Sequence, residues 1–131
     1  MPVTLFVNGT LMRGLALHSN LEGAEMLGEF WTAPHYRMYS INDLHPGMFE
    51  LKEGEVGGVS IAGEIYTMSD EIWANVEDGE PPHLYKGPVK LLNGRNVDGI
   101  LYPRELAENS TKGYTDISEF GDWRTYLASK V

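Results

Sequence analysis

The pair Asn93-Gly94 stands between two β-type runs, Tyr85 to Leu92 and Val97 to Tyr102, and an Asn-Gly step in that setting is the strongest short-range signal for a β-hairpin. A hairpin of this kind belongs to an antiparallel or mixed sheet, and the rest of the chain agrees with it. Residues 3–7 are rich in β-branched and aromatic types and run straight into Asn8-Gly9, which predicts a strand ending in a tight turn. Leu27 to Ile41 reads as two strands split at Ala33-Pro34, followed by a loop from Asn42 to Gly47. Further strands are expected over Gly47 to Leu51 and Val59 to Met68. Between Arg13 and Met26 the spacing of Leu15, Ala16, Leu21 and Ala24 is compatible with a short helix, with a cap or turn at Ser19-Asn20 as an equal alternative. A second helix should start at Ser69, whose hydroxyl can cap the first turn and is followed by Asp70 and Glu71, and should stop before Gly79 and Pro81-Pro82. Residues 105–116 read as loop, and Ile117 to Leu127 as a short aromatic-bearing helix or ordered tail. Five or more strands with two or three short helices and no regular βα alternation make an α+β fold, expected here as a small mixed β-barrel.

A chain of 131 residues has room for one hydrophobic core, so residues 1–131 are read as a single domain and any site must lie within it. The apolar fraction of 42% is that of a globular protein. A formal charge of −9, with ten basic residues that form no stripe, argues against nucleic acid or an anionic membrane as partner. There is no cysteine, which removes thiolate nucleophiles and thiolate metal sites together. Met1 to Val7 carries no charged leader, and no stretch approaches the roughly 20 apolar residues of a membrane span; a cytoplasmic protein is expected. No His-x-His or His-Glu-x-x-His spacing, nucleophile elbow, phosphate-binding loop or dinucleotide fingerprint occurs. Neither a metal nor a cofactor is therefore expected.

Phe6-Val7-Asn8-Gly9-Thr10-Leu11-Met12-Arg13-Gly14 resembles the strand-loop signature of the γ-glutamylcyclotransferase-like (AIG2-like) family, with Asn8 in place of the usual Tyr. Gly63-Glu64-Ile65-Tyr66 before a short helix, and an acidic segment from Glu77 to Tyr85, extend the likeness over most of the chain. The closing run Asp116 to Leu127 is similar to one branch, the cyclotransferase-like domain at the C-terminus of allophanate hydrolases. The resemblance implies that Asn8, Gly9, Thr10 and Leu11 bind the amino-acid part of a substrate through backbone groups, that Tyr85 walls the pocket, and that a glutamate is general acid/base. Counting from the aromatic position gives Glu80 that role and counting from the helix gives Glu77; Glu80 is favoured. His45 and His83 are read as hydrogen-bonding loop residues, and Glu64 as a solvated or salt-bridged strand residue.

The implied reaction is an intramolecular aminolysis. The free α-amine of a γ-glutamyl group attacks its own side-chain carbonyl, closes 5-oxoproline and expels an amine. It calls for a base, an acid and fixed donors for the oxyanion. The expected partner is thus a small molecule with a γ-glutamyl or similar amide group. A second reading is a non-catalytic binding or assembly domain with a partner amidase, since the allophanate hydrolase branch carries its domain beside one. The decarboxylation chemistry proposed for that branch is less well matched, because the loop Asn8-Gly9-Thr10-Leu11 lacks the His of its Gly-Ala-His-Leu counterpart.

Overall fold

A computed structural model describes residues 2–15, 17–109 and 111–130; Met1 and Ala16, which the sequence reading drew on, lie outside them. The strands are β1 (Val3–Val7), β2 (Glu25–Trp31), β3 (Tyr36–Ile41), β4 (His45–Glu50), β5 (Ala62–Met68), β6 (Tyr85–Lys90), β7 (Asn96–Leu101) and β8 (Thr115–Asp116). The helices are α1 (Asp70–Gly79), α2 (Arg104–Ala107) and α3 (Trp123–Ala128), with single 3-10 turns at His18–Leu21 and Ser118–Phe120. The class is α+β, as the sequence indicates.

The strands form two sheets, a five-stranded one in the order β2-β5-β1-β7-β6 and a three-stranded one in the order β4-β3-β8. The expected barrel is not closed. The outer ends of the larger sheet approach at the single bridge Thr32–Leu91 beyond β2 and β6, and no ladder continues from it. The seam there is held by Ile61 N–H donating to Thr32 Oγ1 at 2.9 Å and Lys90 N–H donating to the Tyr36 hydroxyl at 2.9 Å.

β1 lies at the centre of the larger sheet, antiparallel to β5 and parallel to β7. A strand paired on both sides and covered on both faces is mostly apolar, and Leu5, Phe6 and Val7 are fully buried. The core continues through Tyr36, Met38, Met48 and Ile61 to Trp123, the largest fully buried side chain. The predicted hairpin joins β6 to β7, with Gly94 at φ +88° and the Asn93 side chain accepting the Arg95 N–H at 2.9 Å.

Three local expectations are corrected. Residues 105–116 are not all loop: α2 spans Arg104–Ala107, and β8 pairs Thr115 and Asp116 with β3. Among the described residues between Arg13 and Met26 no α-helix forms: Gly14 and Gly23 sit at φ +82° and +90°, which L residues rarely adopt, and a 3-10 turn at His18–Leu21 takes the place of the turn alternative at Ser19-Asn20. The loop expected over Asn42 to Gly47 is shorter, because β4 already begins at His45. Asn42 and Asp43, at φ 56° and 60°, turn the chain tightly between β3 and β4. Pro46 can occupy a strand here because β4 is the edge of its sheet, where a missing N–H costs no ladder bond.

Candidate active site

The turn after β1 is held from below and open above. Asn8 is buried, and its Nδ2 points into the core toward the sulfurs of Met38 and Met48 at 3.7 and 3.5 Å, weak acceptors that fix the side chain. Met12 N–H donates to the Gly9 carbonyl at 3.0 Å, Leu17 N–H to the Thr10 carbonyl at 2.9 Å, and His18 Nδ1 meets the Leu11 carbonyl at 2.9 Å. The carbonyls of Gly9, Thr10 and Leu11 are thus engaged on the protein side. Their own N–H groups donate to no backbone carbonyl among the described residues. Consecutive uncommitted N–H groups at a glycine turn form a concavity suited to a carboxylate or an oxyanion.

Facing this turn across a narrow cleft are His45, Pro46, Glu80 and Leu84, with Val7 and Ile100 as the apolar floor. The free space at its centre is about 20 Å³, room for one or two waters. Pro46 presses on Gly9 so closely that a Cβ there would lie 2.7 Å from Pro46 Cδ. Gly9→Ala is accordingly expected to destabilise the fold by about 1–3 kcal/mol, the usual cost of overpacking, with a matching fall in the urea midpoint. An unchanged midpoint would show that Pro46 yields freely.

Glu80 reaches the cleft because α1 ends just before it. Its N–H closes the last turn on the Glu77 carbonyl at 3.3 Å, its backbone is extended, and Pro81-Pro82 turns the chain away. Among the described residues, Glu80 Oε1 is the buried side-chain oxygen left without a hydrogen-bond partner. Burial lifts the carboxyl to about 7, because a charge in an apolar wall lacks the solvation it has in water. Glu77 sits one turn earlier on α1, exposed to solvent and outside the cleft. Tyr85 is about half exposed (48%) and lies over Gly87 on β6; Leu84 stands at the cleft wall in its place. Of the sequence-derived site residues the fold therefore gathers Asn8, Gly9, Thr10, Leu11 and Glu80, and leaves Glu77 and Tyr85 outside.

One cleft residue, His45, carries no more than a loop-histidine signal in the sequence. His45 is 5% exposed. Its Nδ1 lies 3.0 Å from the Pro46 carbonyl and its ring packs 5.9 Å from that of Tyr102, which His83 meets edge-on at 6.3 Å. Burial holds the imidazole below its ordinary value, the bond to Pro46 opposing that shift.

Glu64, read as a solvated or salt-bridged strand residue, is fully buried and ion-paired. Its Oε1 accepts the Arg13 N–H and the Tyr66 hydroxyl, both at 2.9 Å, and its Oε2 accepts from Arg124 Nη1 at 3.1 Å with Arg13 Nε at 3.6 Å. Burial, and then the bond to Glu64, push the Tyr66 hydroxyl up to about 12. This cluster ties the end of the site turn to β5 and α3. A wider groove of about 720 Å³ runs along the larger sheet beside Phe30, Lys86 and Asn96. Among the described residues it holds no buried polar side-chain atom lacking a partner, whereas the narrow cleft holds Glu80 Oε1.

Residues 3–128 match the family described as allophanate hydrolase C-terminal domain. A Vibrio cholerae protein named "Putative gamma-glutamylcyclotransferase" is 33% identical over 73 residues, 56% of this chain and 57% of that protein's own length. The structure of c4763, a uropathogenic E. coli-specific protein, is 39% identical over 98% of this chain and 97% of its own, with a TM-score of 0.86. Allophanate hydrolase from Kluyveromyces lactis (S177A) superposes with a TM-score of 0.89 at 25% identity, over all of this chain and 22% of the larger one. An AIG2-like protein from mouse shares the fold at 20% identity and a TM-score of 0.63, over 83% and 81% of the two chains.

Proposed function

The chain belongs to the allophanate hydrolase C-terminal domain family, and from that premise and the chemistry of its cleft we propose that it is a cofactor-free cyclotransferase of the cytoplasm. It converts a γ-glutamyl amine or a related small amide to 5-oxoproline and the free amine. The observation that carries this reading is the pairing of a buried, unpartnered Glu80 oxygen with the uncommitted N–H groups of Gly9, Thr10 and Leu11 across one cleft. The first is an acid/base group held near neutrality; the second is a ready cradle for a carboxylate or for the oxyanion of a tetrahedral intermediate. The apolar walls of Val7, Leu84 and Ile100 exclude water that would hydrolyse the amide instead of letting it cyclise. The cleft as it stands holds only a water or two, so binding a substrate of this size requires it to widen. The AIG2-like neighbour and the Vibrio relative's name point the same way.

The test is release of 5-oxoproline from a panel of γ-glutamyl amino acids and amines, glutathione included, by the purified protein. Turnover that Glu80→Gln lacks supports the reading; silence across the panel, with the protein folded, overturns it. The superposition on a fifth of a larger hydrolase favours a second reading, an assembly domain that docks on a partner amidase. In that case an amidase co-purifies with the chain and substitutions at Glu80 leave its activity unchanged.

A further inference from the structure

Resting on the cyclotransfer reading, we propose that proton handling is divided across the cleft, with His45 Nε2 taking a proton from the substrate's α-ammonium and the Glu80 carboxyl protonating the departing amine. Three features of His45 carry this. It lines the same cleft as Glu80 and the Gly9 turn while being almost wholly buried, so substrate is what it meets there. Its tautomer is set: a carbonyl oxygen only accepts, so the 3.0 Å contact with Pro46 places the ring proton on Nδ1 and leaves the Nε2 lone pair as an acceptor. Its position is fixed by pairing with Ile41 at the start of β4 and by the ring of Tyr102.

The electrostatics of the cleft fit this assignment. Among the described residues that line it, Glu80 and His45 are the ones with an acid or imidazole side chain. The titratable groups that face His45 are Glu80 across the cleft and Tyr102 beside it, with His83 behind Tyr102. Burial disfavours the charged form of both residues, lowering the imidazole and raising the carboxyl. Below about pH 7 the Glu80 carboxyl is therefore mostly protonated, while the same burial disfavours protonation of the imidazole. A protonated Glu80 is a poor base for an ammonium but a good acid for a leaving amine, and an unprotonated His45 is the reverse.

The protons balance. His45 Nε2 takes one from the ammonium, and the freed amine attacks the γ-carbonyl carbon, forming the ring C–N bond and an oxyanion against the N–H groups of the Gly9 turn. The bond to the leaving nitrogen breaks as that nitrogen takes the Glu80 proton. The Glu80 carboxylate then removes the remaining extra proton from the new ring nitrogen, and the imidazolium releases its own to solvent or to the departing amine.

His45→Asn is the discriminating variant, because its amide N–H can keep the bond to Pro46 while Nε2 is lost. On a substrate identified by the panel above, kcat/KM for this variant at pH 7 is expected to fall about 10²-fold. The ratio of wild type to variant should then shrink as pH rises toward the pKa of the substrate amine, which no longer needs a base, whereas Glu80→Gln gains no such rescue. A His45→Asn deficit that is absent, or constant with pH, sinks the division of labour and leaves the cyclotransfer reading standing. A wild-type protein that turns over nothing sinks both. If His45→Asn does not fold, 15N NMR of the wild-type ring decides: the proposal requires the proton on Nδ1 and a shift of Nε2 on adding 5-oxoproline, and a proton on Nε2 overturns it.

Discussion

Glu80→Gln is expected to cut 5-oxoproline release by about 10²- to 10⁴-fold, the usual contribution of a positioned acid/base group, and at the same time to make the fold more stable above pH 7. The second effect follows from proton linkage. In the folded protein burial keeps Glu80 protonated up to about pH 7, while its ordinary value is 4.5. Between those values the folded state binds more protons than the unfolded one, so wild-type stability falls as pH rises through that window and is flat beyond it. Gln has the same shape and never ionises. Its advantage should be nil below about pH 4 and reach about 2–3 kcal/mol by pH 8.5, read as the difference between urea midpoints of the two proteins. Loss of activity with a gain of stability marks a residue kept for chemistry at the cost of the fold. A variant that is less stable at pH 8.5 would mean that the carboxylate has a partner in the folded state.

Glu64→Ala is expected to be the most damaging change away from the cleft, by about 3 kcal/mol. Arg13 and Arg124 are 60% and 29% exposed and can turn toward water, but the Tyr66 hydroxyl and the Arg13 N–H are left without their acceptor. The Tm should drop by roughly 10 °C. A useful contrast is Glu55, whose two oxygens clasp Arg104 at 2.6 and 2.9 Å. That geometry is better than any at Glu64, yet both partners are about one-third exposed, and Glu55→Ala should cost no more than about 1 kcal/mol. Comparable losses at the two positions would show that geometry outweighs burial here.

The contrast also shows what the sequence did and did not disclose. Signals that act within a few residues were legible: β1 running into its Gly turn, the split at Ala33-Pro34, the Ser69 cap, which accepts the Ile72 N–H at 3.2 Å, and the Asn93-Gly94 hairpin. Quantities fixed by distant packing were not. Glu64 alternates with apolar neighbours as a water-facing residue would, but β5 sits between β2 and β1 and is covered on both faces. His45 looked like a turn residue because Pro46 follows it, and only the docking of the smaller sheet against the site turn puts it in the cleft. Glu80 and Glu77 are three residues apart, and what separates them is where α1 stops. An Arg13 to Met26 helix fails for a local reason, the positive φ of Gly14 and Gly23 near its two ends.

The central place of β1 also governs how the chain can be made. Its ladder partners are distant in sequence, Val3 pairing with Met68 and Leu5 with Asp98. During synthesis β1 leaves the ribosome long before either partner, with apolar side chains and an unpaired backbone on both flanks. Contacts of that span must close large loops before they repay the entropy, which slows folding. The supports of the Gly9 turn and its cleft come from later in the chain, Glu64 of β5 holding the Arg13 N–H, Ile100 of β7 lining the cleft and Arg124 of α3 pairing with Glu64. The cleft is thus among the last parts of the molecule to form, and an interval with β1 exposed is one in which chains at high concentration pair with each other.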